Sequence, residues 1–192
     1  MKKILSLLLI ALMAIGVNAG NGNRTVTGAP YKVGDYYNDG TKEGIVFQVS
    51  DDGMHGKIVS LDESKNVPWA VEGVIENNAT GATSGGDGMS NMNKIRMQPD
   101  WKTNYPAFAW CASLGNGWYL PAVDELNLID ENRGLINQGL KKGAYDEISD
   151  DVYWSSTESE YVDCAWGVNM YDGDTDDYYK YDGNYVRAVS VF

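Results

Sequence analysis

Histidine occurs once in the 192 residues and cysteine twice, at Cys111 and Cys164. A single His55, flanked by Met54 and Gly56, would have to serve any Ser or Cys triad alone, and no Gly-x-Ser-x-Gly elbow occurs to accept it. It fits a surface turn better than a metal ligand or a base. Basic residues are also scarce, with 15 Lys and Arg against 27 Asp and Glu and a formal charge of −12. Such a chain is repelled by phosphate backbones and anionic lipid, which argues against nucleic acid and membrane surfaces as partners. Phenylalanine is nearly missing at three residues, yet there are six Trp and thirteen Tyr. That balance favours amphipathic aromatics, suited to half-buried sheets and contact surfaces. Long apolar runs are absent after the first twenty residues.

The one apolar run, Ile4 to Ile15, follows Lys2 and Lys3 and precedes Val17-Asn18-Ala19. A charged start, a short apolar stretch and small residues at the end define an export leader over residues 1–19, too short to span a bilayer comfortably. Its removal takes the formal charge from −12 to −14. No cysteine follows to carry a lipid, and periplasm, cell surface and medium all remain open. In those oxidising places the default for a lone cysteine pair is a disulfide, here Cys111–Cys164, with two buried thiols as the alternative.

Residues 20–29 are small, polar and aperiodic, a flexible lead to a domain over residues 30–192. Gly44 to Ser50 and Lys57 to Ser60 flank Asp51-Asp52-Gly53 and predict a hairpin. Ser90 or Asn91 is positioned to cap a short helix carrying Met92, Ile95 and Arg96. A second helix begins at Pro106 and stops before Gly115, the place for a C-cap glycine. A third starts near Ala122, with Asp124 and Glu125 in its first turn. Carboxylates belong at that helix end, so this pair is weak ground for acid–base catalysis. Residues 132–150, punctuated by Gly134, Gly139 and Gly143, suggest loop or frayed helix. From Tyr153 onward, strand formers alternate with Tyr, Asp, Asn, Ser and Gly, the palette of contact surfaces. That end of the chain is the candidate ligand face, residues 153–192.

Several motifs stand in a fixed order: YPAFAWCASLGNGWYLPAVDEL, then YWSSTE, an AW pair, a polar hairpin, Lys180 and VRAVSVF. The set resembles the Fibrobacter succinogenes major paralogous domain family, which has a C-type-lectin-like fold. It is similar above all to secreted members that serve as variable proteins of diversity-generating retroelements. The resemblance spans roughly residues 30–192 and implies an α+β fold, with two helices on small mixed or antiparallel sheets and with the domain's ends close together. Trp118, Leu120, Pro121, Glu125, Leu126, Trp154, Ser155, Trp166, Val186 and Arg187 would be scaffold. The ligand face would carry Tyr161, Asp163, Asn169, Tyr171, Asp174, Asp176, Tyr178, Tyr181 and Asn184. Two departures stand out. Ala188 replaces a cysteine common in the family, so a family disulfide does not carry over. Ala122 replaces a small hydroxyl residue, which removes half of a capping box.

The implied function is non-catalytic recognition of a protein or glycan by tyrosine stacking and Asp/Asn hydrogen bonds, without a cofactor. Two other classes compete. One is a structural surface or appendage subunit. The other is an oxidase like the formylglycine-generating enzymes, which share the fold; their catalytic cysteines lie close together near the chain's end, unlike Cys111 and Cys164. Asp172, Asp174 and Asp176 alternate like the first half of a calcium loop, but the sixth position is Asp177 rather than glycine and the twelfth is Gly183 rather than an acid. A solvated acidic hairpin tip explains the pattern better.

Overall fold

The computed structural model describes residues 30–75 and 79–192. The expected leader and lead lie outside the described residues. The domain is α+β, with two sheets and six helices among the described residues. Tyr36–Asn38 (β1), Glu43–Val49 (β2), Gly56–Val59 (β3) and the C-terminal Val189–Val191 (β9) form an antiparallel sheet in the order β1-β2-β3-β9. The expected hairpin is the β2–β3 pair, and His55 sits exposed in its turn. The domain's ends meet here. The Phe192 ring lies 4.5 Å from Tyr37 and 5.2 Å from Tyr31.

The second sheet contains Ser64–Pro68 (β4), Val152–Glu158 (β5), Cys164–Asn169 (β6), Thr175–Tyr179 (β7) and Gly183–Val186 (β8), in the order β4-β8-β5-β6-β7. All its pairings are antiparallel except β5 with β8. This crossing lets the last strands of the chain serve both sheets. Val186 and Val189, both fully buried, fill the core from β8 and β9.

The helices are Glu72–Ile75 (α1), Gly88–Arg96 (α2), Trp101–Asn104 (α3), Pro106–Ser113 (α4), Val123–Glu131 (α5) and Arg133–Lys142 (α6). The helices expected near Met92, from Pro106 and from Ala122 are α2, α4 and α5, and this α+β arrangement is consistent with a C-type-lectin-like domain. The cap of α2 is Asp87, whose carboxylate accepts from Ser90 N at 2.8 Å. Asn91 is buried and ties Ser84 to Ser156 instead. Helix α6 occupies part of the stretch expected to be loop or frayed helix. Gly139 passes within a Cβ's reach of Gly34 O and Ile45, so its missing side chain is what allows α6 to seat on β2.

Helix α5 starts without a capping side chain, as Ala122 dictates, yet its first amides are satisfied. Glu125 Oε2 accepts from Ala122 N at 2.8 Å, Thr157 Oγ1 from Val123 N at 3.0 Å, and Gly85 O from Asp124 N at 2.9 Å. Glu125 is buried and also accepts from Lys57 Nζ at 2.7 Å and from Tyr119 Oη at 2.9 Å. A buried carboxylate without such partners would be costly.

The YWSSTE motif explains itself in the same terms. Ser155, Ser156, Thr157 and Glu158 are all buried, where unpaired polar groups would be costly. Each finds partners outside β5. Ser155 Oγ donates to Trp166 O at 2.7 Å, and Ser155 O accepts from Trp69 Nε1 at 2.9 Å. Ser156 N donates to Pro121 O at 2.7 Å, and Thr157 Oγ1 donates to Ser84 O at 2.9 Å. The motif is a junction that fastens the loops to the second sheet.

The expected disulfide does not form. Cys111 and Cys164 are both free and buried. Cys111 projects from α4 into the core, whereas Cys164 opens β6 and donates its S–H to Asp163 Oδ1 at 3.7 Å. The two thiols serve different elements, so their sharing a compartment with no other cysteine does not bring them together.

Candidate functional site

The C-terminal face expected to carry the ligand is held up by a buried ion pair. Lys180, just after β7, places Nζ 2.7 Å from Glu158 Oε1, and both side chains are 2% exposed. Glu158 also accepts from Thr80 N and Oγ1 and from Gly81 N, at 2.9 to 3.1 Å. Lys180 donates further to Val162 O at 2.7 Å and sits 4.8 Å from the Trp69 ring centroid. The ammonium therefore draws together the end of β5, the loop after it and the connection from β7 to β8.

Above this anchor an open cleft of about 530 Å³ runs along β7. Its walls are Tyr161, Asp163, Cys164, Asp177, Tyr178, Tyr179 and Asp182. Tyr179 and Tyr181 are each about half exposed and stack with ring centroids 5.2 Å apart and planes 7° apart. The turn after β7, closed by Asp182 N donating to Tyr179 O at 2.8 Å, sets this arrangement. Tyr179 and Tyr181 turn outward, while Lys180 is buried and Tyr178 packs edge-on against Trp154 at 6.2 Å. Asp177 Oδ2 accepts from Ser159 Oγ at 3.1 Å. Burial, then the negative charges of Asp163 and Asp177, pushes the Cys164 thiol up to about 11. Burial alone drives Cys111 well above the ordinary thiol range. Neither thiol is an activated nucleophile at neutral pH.

The residues expected on the ligand face fall in three places. Tyr161, Asp163 and Tyr178 line the cleft, and Tyr181 adjoins it through its stack on Tyr179. Asn169, Tyr171, Asp174 and Asp176 gather at the opposite end, on the β6–β7 hairpin. There Asn169 Oδ1 accepts from Tyr171 N at 3.0 Å, and Asn169 N donates to Asp174 O at 2.9 Å. Tyr171 stands out at 75% exposure, beyond any wall. Asn184 lies half-buried in β8 opposite Val67 of β4, and its Nδ2 is buried without a partner.

Three cleft residues escaped the sequence reading: Asp177, Tyr179 and Asp182. Tyr179 shares strand parity with Asp177, so alternation could have found both once the strand's free face was known. At the hairpin, Asp172 Oδ1 accepts from Asp174 N and Asp176 Oδ1 from Asp177 N. Among the described residues, no three His, Cys, Asp or Glu side chains are grouped to hold a metal ion.

A second cleft, about 250 Å³, lies between the N-terminal sheet and the loop before α5, with Lys42, Glu43, Asp62, Trp118 and Tyr145 among its walls. Its charges are mixed and it carries no aromatic stack.

The Lcl C-terminal domain family matches residues 59–190, about two thirds of the chain. The chain belongs to that family. The Lcl C-terminal domain runs from the last residue of β3 into β9 and includes the whole second sheet and its cleft, while β1, β2 and most of β3 precede it. The membership agrees with the resemblance drawn from GWYLP, YWSSTE and VRAV, and it marks a surface-related ligand-binding domain. No curated protein matches the chain. Among the described residues of this Lcl C-terminal domain protein, no helix is long and apolar enough to cross a membrane.

Proposed function

We propose that the protein is exported and acts as a non-catalytic recognition module, binding a protein or glycan in the cleft along β7. The observation that carries this reading is the stacked Tyr179–Tyr181 pair, half exposed beside Asp163, Asp177 and Asp182. Stiff aromatic faces give contact area at low entropy cost, and the carboxylates accept hydrogen bonds from a bound partner. Three acids at the wall favour neutral or cationic ligands over sulfated and other anionic ones. The protonated, buried thiols support binding over cysteine-based oxidation. Diversification by a retroelement would suit the Tyr, Asp and Asn content of this end. It predicts a near-identical DNA template repeat that differs at adenines.

The test is binding of the protein to a mixed array of glycans and cell-surface proteins, beside two variants. Tyr179→Ala with Tyr181→Ala removes the stack; Tyr171→Ala alters only the hairpin tip. Hits abolished by the double substitution and kept by Tyr171→Ala support the cleft. Hits lost only with Tyr171→Ala move the seat to the tip. Hits indifferent to all three substitutions sink the C-terminal face as the ligand site.

A further inference from the structure

Strand β7 ends the sheet order, so one of its edges has no neighbouring strand among the described residues. Two hydrogen bonds fix which residues face that edge. Asn169 N donates to Asp174 O, and Lys180 N donates to Asp163 O, both at 2.9 Å. Even-numbered residues therefore bond inward to β6, and Thr175, Asp177 and Tyr179 turn their backbone groups outward. The same parity puts the Asp177 and Tyr179 side chains on one face of the sheet, where they line the cleft. A strand added at this edge with a residue opposite Asp177 would point that residue's side chain over the cleft.

Charge decides what kind of strand fits. Asp163, Asp177 and Asp182 form no ion pair among the described residues. The nearby cation, Lys180, is buried and held by Glu158. Tyr161 and the Tyr179–Tyr181 stack add aromatic faces that attract a cation. On the edge itself, Asp176 Oδ1 accepts from Asp177 N at 2.8 Å and covers an outward amide with a carboxylate. Such an edge repels a second copy of itself, a known defence of sheet edges, but attracts a basic chain.

We propose that β7 takes up an extended basic segment of a partner protein as an added strand, with alternate lysine or arginine side chains seated among the tyrosines and carboxylates of the cleft. This rests on the cleft being the ligand site and names the ligand's chemistry. Docking exchanges the Asp176 carboxylate on Asp177 N for a carbonyl of the incoming strand. Backbone bonding supplies affinity, and the alternating cations supply selectivity.

The test uses the full exported protein and a labelled peptide of about eight residues alternating lysine and threonine, long enough to span β7. Three controls accompany it: glutamate in place of lysine, N-methylation of alternate residues on the pairing side, and Asp177→Asn with Asp182→Asn in the protein. We expect binding that weakens with salt and falls at least about tenfold with the double Asn variant, the glutamate peptide or the methylated peptide. Equal binding of the glutamate peptide, or no effect of the Asn substitutions, overturns the charge argument. Equal binding of the methylated peptide overturns strand addition. If the lysine peptide fails to bind while array hits are still lost with Tyr179→Ala and Tyr181→Ala, this inference falls and the cleft reading survives.

Discussion

Lys180 and Glu158 lie 2.7 Å apart with 2% of each side chain exposed, so neither charge can turn to water if the other is removed. Changing one partner leaves an uncompensated buried charge, which costs about 3–5 kcal/mol. Lys180→Met should therefore lower stability by that amount, measured as a shift in denaturant midpoint. Adding Glu158→Gln should recover part of the loss, because the amide removes the stranded charge. Full stability in the single variant would mean that the ammonium does not hold the face together. Arg187 and Glu63, 2.9 Å apart, form a second such pair beneath Tyr153. Both basic residues were visible in the sequence, Lys180 among the ordered motifs and Arg187 in VRAV. What the sequence lacked was their partners. Glu158 is 22 positions from Lys180 and Glu63 is 124 from Arg187, and no local pattern links them.

At the scale of the element, two helical glycines show how differently one residue type acts. A Cβ on Gly88 in α2 would meet Leu120 O at 2.5 Å, Glu125 Oε2 at 2.7 Å and Ala122 N at 2.8 Å. Gly134 in α6 has nothing within 4 Å of the same atom. Gly88→Ala should destabilise by about 1–3 kcal/mol through overpacking. Gly134→Ala should stabilise by up to about 1 kcal/mol through helix propensity. Thermal melts of the two variants check both signs together. Helices α4 and α5 and the β2–β3 hairpin were legible because their punctuation is local: Pro106, Gly115, the acids after Ala122, and Asp51-Asp52-Gly53. Helix α6 was legible only as loop or frayed helix, because of its glycines. One of them, Gly139, is required by a close approach to Gly34 that only the folded chain creates.

For the molecule as a whole, the N-terminal sheet contributes a pH-dependent share of stability. Burial first, and the bond to Glu43 second, push the Tyr36 phenol up to about 12; burial and Asp39 do the same for Tyr37. The unfolded phenols ionise near 10, so this stability is complete below about pH 10 and is lost as pH rises from there toward 12. Unfolding midpoints measured across alkaline pH should fall over that window and fall less steeply in Tyr36→Phe with Tyr37→Phe, the remaining slope coming from phenols such as Tyr119 and Tyr153, which burial also raises. An unchanged slope in the double variant would assign the alkaline loss to other groups. The consequence is global because these strands sit where the domain closes, with Phe192 packed on Tyr31 and Tyr37.

The α+β class and the family were determined by the sequence, which also placed the proposed contact surface near the C-terminus. Each depends on residue types in short, ordered runs, and those runs survive without knowledge of distant neighbours. The folded chain alone decided which of the tyrosines and acids work together. The turn after β7 separated outward Tyr179 and Tyr181 from inward Lys180, and the β6–β7 hairpin carried Tyr171 and Asp174 away from the cleft. It also kept Cys111 in the core and Cys164 at the cleft wall as separate thiols. Pairing across a sheet and between layers is set by contacts distant in sequence. Composition can show that a surface exists, but only those contacts select the side chains that share it.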